Sequence, residues 1–301
     1  MTLLPTSVSM AKALKLDPAS GATLTHQPVP LTDTITVILA DNEGHYTGPG
    51  TNTYLVGKDR LWIIDPGPKS HSHVEAVLKS VAGRPVDGVL VTHSQLDHSP
   101  AATLLQETLD APIYGFGPLP RDLIGKTDED IDIDFRPDIC LADGERLKNA
   151  EGSVTALHTP GHYPNHMAYA LDGSDILFSG DHVMGWATTV VVPPLGNLPD
   201  YLESLKRIEA YGARVFLPSH GPVIPDAKDR CRALREHRLA RHHQIKDCLD
   251  KGVTEPEAIV SAIYPDLPSR LIEAAMGQVT AHLECCSDVA DLCSFPKGCA
   301  V

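Results

Sequence analysis

The chain has 301 residues, 42% of them hydrophobic and 21% charged, with a formal net charge of −14. That length leaves room for two domains, and the composition is that of an ordinary globular protein. No apolar run approaches the roughly 20 residues needed to span a bilayer, and an acidic total gives no long-range attraction to phosphate backbones, although a local basic groove remains compatible with it.

The first residues, MTLLPTSVSMAKALKLDPASGA, lack a basic start followed by a long apolar core. They do not read as a signal peptide, so a cytoplasmic location is expected. Seven cysteines are present, with Cys285, Cys286, Cys293 and Cys299 close together near the end. Reduced thiols are expected without an export signal. No clean C-x-x-C pair appears, so a loosely packed tail is expected there rather than a metal cluster.

Residues 34–40 (TITVILA) alternate toward a strand and are followed by a Gly/Pro loop, then by the strand TYLVG. LWIIDPGP reads as a third strand that ends at Asp65, and the tight turns between these runs indicate an antiparallel meander. Residues 71–82 carry apolar side chains at helical spacing, 86–91 form a continuous apolar strand, and SPAATLLQETL reads as a helix. A short strand follows at Tyr114. The acidic, turn-rich stretch 117–138 reads as an exposed excursion, and its densest part, 128–134, as a solvated loop. VTALHTP, MAYAL and DILFSGD are three short strands, and 199–211 is an amphipathic helix with Asp200 near its start. ARVFLPSHGPVI is a strand ending in a Pro/His/Gly loop. From Asp226 the pattern is helical only. The expectation is an α/β sandwich over residues 1–225 followed by a small helical domain over 226–301.

The strand 86–91 runs into Thr92-His93-Ser94-Gln95-Leu96-Asp97-His98. His93, Asp97 and His98 therefore sit together at a strand end, and imidazole with carboxylate suits zinc and its first-row neighbours. Other candidate ligands also end strands. His162 follows VTAL, Asp181 ends DILFSG, and His220 follows ARVFL. Strand ends of layered α/β proteins are where loops meet to build a site. Several further histidines, His71, His73, His237, His242, His243 and His282, lie on polar helical stretches and are expected to be solvated. Tyr163 and Trp186 follow site motifs, and each fits either a pocket wall or ordinary packing. His182, beside Asp181, fits a cleft-facing or a structural place equally.

The order His-x-(His)-x-Asp-His, then PGH, SGD and SHG, resembles the metallo-β-lactamase fold superfamily over about residues 34–225. HTPGHYPNHM, SGDHVMGWATTVV, the helix DYLESL before SHGPVI, and EHRLARHHQ resemble more finely the β-lactamase-like protein 2 group. The resemblance implies a four-layer αββα sandwich with a small, winged-helix-like helical C-terminal domain. It implies a first metal site at His93 and His162 with residue 95 as third ligand, a second at Asp97, His98 and His220, and Asp181 as a bridge. It also places Asp65 behind the site as a carboxylate that orients a ligating imidazole, and His166 beside the site, behind the ligands or against substrate. This chain departs from the pattern at Gln95, where a histidine is expected. A neutral amide oxygen is a weaker zinc donor than imidazole, so the first site should hold its ion less tightly, stay empty, or favour Mn or Fe(II).

Two ions about 3.5–4 Å apart would activate a water for attack, with Asp97 orienting it or taking its proton. No G-x-S-x-G elbow occurs, and no cysteine stands in a nucleophile motif. The activity that the superfamily resemblance implies is zinc-dependent hydrolysis by a metal-bound hydroxide, acting on a small-molecule carbonyl substrate: an ester, thioester or lactam. A second reading, which the resemblance to the β-lactamase-like protein 2 group implies, is an endonuclease cutting single-stranded RNA, and the Lys and Arg cluster from Lys228 to Lys246 fits it. A third is a metal-binding scaffold with little catalysis. Membrane partners are not expected.

Overall fold

The computed structural model describes residues 24–126 and 130–285. Residues 127–129 of the acidic run, and Cys286, Cys293 and Cys299 of the tail, lie outside them. In chain order the strands are β1 (Pro28–Pro30), β2 (Ile35–Leu39), β3 (Asn52–Val56), β4 (Leu61–Ile64), β5 (Val86–Leu90), β6 (Ile113–Gly115), β7 (Ile139–Cys140), β8 (Arg146–Asn149), β9 (Gly152–His158), β10 (Met167–Leu171), β11 (Ile176–Gly180) and β12 (Val215–Pro218). The α-helices are α1 (His71–Val81), α2 (Ala101–Leu109), α3 (Leu198–Tyr211), α4 (Ala227–Asp250), α5 (Pro256–Ile263) and α6 (Ile272–Glu284). None is long and apolar enough to cross a membrane.

The strands form a seven-stranded sheet in the order β1 to β7 and a five-stranded sheet in the order β12-β11-β10-β9-β8. β2, β3 and β4 are the expected antiparallel meander, and β4, β5, β6 and β7 then run parallel. Three strands are additions to the sequence reading. β1 carries two prolines, which donate nothing to a ladder and mask a strand. β7 has only two residues, both exposed. β8 is an edge strand of mostly polar residues, the composition that keeps an edge from pairing with other chains.

The inner faces of the two sheets meet in one apolar core, which includes Tyr54, Ile64 and Leu90 from one side and Tyr169, Phe178 and Leu217 from the other. The outer face of the first sheet is covered by α1 and α2 through Val74, Val77, Ala102 and Leu105. The outer face of the second is covered by α3 and the first half of α4, through Leu202, Leu205, Cys231 and Leu234. These are the four layers αββα. The second half of α4 leaves that surface and builds a separate core with α5 and α6 around Ile245, Ile259, Val260 and Val279. One helix thus serves both cores. Among the described residues after Asp226, every regular element is helical.

Local chemistry explains the helix starts. The Ser70, Asn197 and Asp226 side chains each accept a backbone N–H in the first turn of α1, α3 and α4, which satisfies donors that have no partner inside the helix. Three histidines expected to be solvated are instead buried: His73, His242 and His282. His73 donates to or accepts from Thr53 across the α1 contact at 2.8 Å. His242 and His282 face each other between α4 and α6, with ring centroids 5.6 Å apart.

Two tyrosine hydroxyls tie the sheets together just beneath the loops that carry the candidate ligands. Tyr169 on β10 donates to the Val91 carbonyl at the end of β5 (2.7 Å), and Tyr54 on β3 donates to the Pro218 carbonyl at the end of β12 (2.6 Å). The Pro218 carbonyl also accepts from Asn52 Nδ2 (3.0 Å), and losing a buried hydrogen bond of the Tyr169 kind costs about 1–3 kcal/mol. Tyr169→Phe should therefore lower the unfolding free energy by about that amount in urea denaturation, with an unchanged slope. A midpoint equal to that of the wild type would remove this tie from the stabilising interactions.

Candidate metal centre

The candidate ligands come from four loops at one end of the sandwich: after β5, after β9, after β11 and after β12. Two backbone features let them converge. Gly161 precedes His162 with φ +130°, and a Cβ there would run into the Tyr201 backbone. Gly180 precedes Asp181 with φ +55°, and a Cβ there would run into the His166 ring. Both positions need glycine because it adopts positive φ freely and lets another chain approach closely.

The structure brings His93, His162 and Asp181 into one group and Asp97, His98 and His220 into another, with one potential ligand atom from each residue within 4.8 Å of the others in its group. The Asp181 Oδ2 atom lies 3.4 Å from His220 Nε2, 3.7 Å from His98 Nε2 and 3.9 Å from His162 Nε2. It therefore faces both groups. The Gln95 Oε1 atom lies 3.1 Å from His93 Nε2 and 3.3 Å from His162 Nε2, so the amide occupies the third position of the first group.

The partners behind the rings fix the tautomers. His162 Nδ1 donates to the Val190 carbonyl (2.6 Å) and His220 Nδ1 to the Gly50 carbonyl (3.2 Å), since carbonyls only accept. His98 Nδ1 donates to Asp65 Oδ2 at 3.1 Å. The Thr92 hydroxyl faces the Asp65 carboxylate at 2.8 and 2.9 Å and spends its one proton there, so it accepts from His93 Nδ1 at 3.0 Å. Every ring thus directs Nε2 inward, as a lone pair when the ring is neutral. His98 Nε2 and His220 Nε2 face each other at 3.2 Å, and the buried Asp181 Oδ1 has no hydrogen-bond partner. Groups crowded in this way are held together by protons on His98 and His220 or by a cation that takes the place of those protons. The donor set fits a divalent metal ion.

The electrostatics divide the centre in two. Burial opposes a charge on His98, but Asp97, Asp181 and Asp65 around it hold its pKa well above the ordinary value. His220 is raised in the same way: burial opposes protonation, and Asp181 and Asp97 overcome it. Burial and the neighbouring His98, His162 and His166 push His93 well below its ordinary value, and burial lowers His162 despite Asp181. The Asp97 side calls for positive charge; the Gln95 side is built of neutral donors.

Asp65 stands behind the rings and does not face the cleft. Besides His98 and Thr92 Oγ1 it accepts from the Thr92 backbone N–H (2.8 Å) and from Ser219 Oγ. It holds this post at φ 49°, a left-handed conformation that aspartate tolerates better than most residues. His166 is fully buried: its Nε2 accepts from the Asp181 backbone N–H (3.1 Å) and its Nδ1 donates to Thr159 Oγ1 (2.7 Å). Both ring nitrogens are thus occupied, leaving it to position Asp181 rather than to touch substrate. Tyr163 is buried against the His93 and His162 rings, with centroids 4.9 Å from each. Trp186 is 44% exposed and lies across Gly48 and Gly221.

The acidic run is tied down at the site. Leu96 N–H donates to the Asp130 carbonyl and Asp132 N–H to the Ser94 carbonyl, both at 2.9 Å, and Ser99 Oγ donates to Asp132 Oδ2 at 2.6 Å. Residues 130–132 therefore hold the Gln95 loop from outside, which corrects the reading of a purely solvated segment. Above the centre opens a cleft of about 490 Å³. Its walls include Met184, Val190, Val192 and Pro193 from one loop, and Glu273, Ala274 and Gly277 from α6. This contribution of the helical domain had no local signal in the sequence.

The family described as "Metallo-beta-lactamase superfamily" matches residues 46–220, and "Beta-lactamase associated winged helix domain" matches 256–284. The chain belongs to the metallo-beta-lactamase superfamily. It is 31% identical over 273 residues to "Beta-lactamase-like protein 2 homolog" of Caenorhabditis elegans, with 87% of each chain covered. It is 29% identical over 264 residues to "Atrochrysone carboxyl ACP thioesterase" of Aspergillus fumigatus, covering 84% of this chain and 75% of that one. Among solved structures, a beta-lactamase domain protein from Burkholderia ambifaria superposes with a TM-score of 0.71 at 22% identity, with 94% of each chain covered. The chain is a metallo-beta-lactamase superfamily hydrolase with an αββα catalytic fold and a C-terminal winged-helix-type domain.

Asp65 accepts four hydrogen bonds around the second group, and an amide could replace only part of them. Asp65→Asn should weaken divalent-metal binding by about 10–100-fold in a competition titration with a chromophoric chelator. An unchanged affinity would mean that Asp65 serves the fold alone.

Proposed function

We propose that this hydrolase is zinc-dependent and cleaves small carbonyl substrates, thioesters first, at the two-group centre formed by His93, Gln95 and His162, by Asp97, His98 and His220, and by Asp181 between them. The observation that carries this reading is the convergence of four imidazole Nε2 atoms and two carboxylates into two adjoining groups. Nitrogen-rich donors with carboxylates suit zinc. A bound zinc ion would supply Lewis acidity toward a carbonyl and lower the pKa of a nearby water.

The chain's own groups support water as the attacking species. Among the described residues that line the cleft there is no serine, threonine or cysteine. Asp97 does, and its Oδ2 is held 3.1 Å from His220 Nε2 and 3.3 Å from His98 Nε2. It is the carboxylate placed to orient a water or accept its proton. Burial alone would raise the Asp97 carboxyl, but His98 and His220 keep it well below its ordinary range, so it stands ionised for that role.

Three features favour a carbonyl over a phosphodiester substrate. The cleft wall of Met184, Val190, Val192, Pro193 and Ala274 is apolar. Two fungal relatives bear the name of acyl-carrier thioesterases. The arginines that suggested a nucleic-acid surface are also largely engaged inside the fold. Arg230 donates to the Met184 carbonyl (3.2 Å) and the Ala187 carbonyl (2.5 Å), Arg235 pairs with Glu209 (2.5 Å), and Arg238 is buried. The second group, with Asp97 in addition to the shared Asp181, should take its ion before the first, whose own donors are neutral.

Two measurements test this reading. Thioester turnover with an N-acetylcysteamine thioester should exceed that of nitrocefin and of bis(p-nitrophenyl) phosphate, be abolished by dipicolinate and return with added zinc. Chelator-sensitive turnover of the phosphodiester alone would overturn the substrate class. In zinc titration the wild type should show two unequal equivalents, and Gln95→His should tighten the weaker one. Two equally tight equivalents in the wild type would refute the assigned asymmetry.

A further inference from the structure

We propose that Arg238, a residue of the helical domain, is a positioning residue for the Gln95 side of the metal centre. The inference rests on the metal-centre reading above. Arg238 lies on α4 and is 3% exposed. Among the described residues it has no carboxylate partner; the groups that favour its charge are Tyr201 and Tyr264, and burial depresses its pKa. Its guanidinium carbon lies 5.4 Å from the Tyr201 ring centroid. A buried guanidinium without a carboxylate costs several kcal/mol of desolvation. Its hydrogen bonds must therefore be spent on something that depends on them.

The hydrogen bonds lead to the centre. One Arg238 Nη donates to Gln278 Oε1 on α6, and the other donates to the Thr189 backbone carbonyl. The Thr189 hydroxyl faces the Asp181 carbonyl at 2.8 Å and the His182 carbonyl at 3.0 Å, so it clasps the loop that carries the shared carboxylate. The next residue, Val190, supplies the carbonyl that holds His162 Nδ1 at 2.6 Å. One short segment, 189–190, thus joins a buried charge to the backbone of Asp181 and to the ring of His162. His98 and His220 are held by Asp65 and Gly50, which belong to other loops. Asp181 is shared, but the Val190 carbonyl serves His162 alone, so loss of the guanidinium should disturb the His93–Gln95–His162 group more than the Asp97–His98–His220 group. The first group also has the weaker donor in Gln95, so it depends more on accurate placement.

The pathway reaches across domains. Gln278 is next to Gly277, whose Cα faces the Val192 side chain so closely that an added Cβ would lie 2.8 Å from both Val192 methyls. Val192, Arg238 and Gln278 together lock the loop 189–192 between the sheet and the helical domain. The catalytic centre should accordingly be sensitive to changes in a helix that supplies none of its ligands.

The test is a zinc titration against a chromophoric chelator, with absorption spectra of the cobalt(II)-loaded protein. It compares the wild type with Arg238→Met, Arg238→Lys and Gln278→Leu, each checked for folding by circular dichroism. Arg238→Met should weaken one zinc equivalent by about tenfold or more, the range for groups behind a ligand, and leave the other within about threefold. The cobalt d–d bands should shift. Arg238→Lys keeps the charge but not the fork, and should recover part of the affinity. Should Arg238→Met fail to fold, Gln278→Leu decides, with the same equivalent weakened at least threefold in support. Wild-type protein that binds no zinc would remove the metal-centre reading itself. Two wild-type equivalents, together with folded variants of unchanged affinities and spectra, would overturn the role of Arg238 alone.

Discussion

Imidazole lone pairs do not gather by themselves. Each Nε2 at this centre faces other acceptors, and the arrangement survives only because each ring is gripped from behind through Nδ1. Asp65, Thr92, Gly50 and Val190 do the gripping. The rest of the structure follows from that constraint. The two sheets must end at the same height, and Tyr54 and Tyr169 pin them there. The loops after β9 and β11 must turn inward, and Gly161 and Gly180 allow it. Asp65 must sit at positive φ to reach His98, Thr92 and Ser219 together, and four hydrogen bonds hold it in place. Strain of this kind persists where the surroundings over-determine it.

The centre is built from unequal halves, and the inequality lies in charge more than in geometry. Gln95 Oε1 occupies the position a third imidazole would take, at ordinary contact distance from His93 and His162. What the exchange changes is donor strength, on the side that has no carboxylate except the shared Asp181. On the other side Asp97 and Asp181 already demand positive charge, as the raised His98 and His220 show. A weaker neutral donor on the first side therefore leaves the second side intact. This is how one departure from the family pattern can coexist with a centre whose remaining ligands are in place.

Much of this could be read from the chain. Period-two and helical spacing located β2 to β6, β9 to β12 and the helices, because burial on one face writes itself into the local pattern. The candidate ligands were legible because their chemistry resides in side chains at strand ends. Of the groups behind them, Asp65 and His166 came with the family resemblance and the rest had no signal. Gly50, Thr189 and Val190 act through backbone carbonyls, which every residue possesses. β8 was missed because an edge strand exposes most of its residues. His242 and His282 look solvated on a charged helix; they are buried because α4 and α6 close on each other, a contact distant in sequence. Residues 130–132 look like a solvated acidic loop, yet their backbone pairs with the loop of Gln95.

The helical domain completes the picture by contributing shape rather than ligands. The αββα layers alone supply the metal-binding donors and one apolar wall, Met184, Val190, Val192 and Pro193. The opposite wall, with Glu273, Ala274 and Gly277, belongs to α6. That wall is fixed in two ways. α4 is shared between the sheet surface and the helical core, so the domain cannot pivot without opening an apolar contact. Gly277 lets α6 approach Val192 more closely than any other residue would permit. A cleft closed by two domains in fixed contact selects substrates by width as well as by chemistry. The superfamily's hydrolytic centre can therefore stay nearly constant while the helical domain narrows what reaches it.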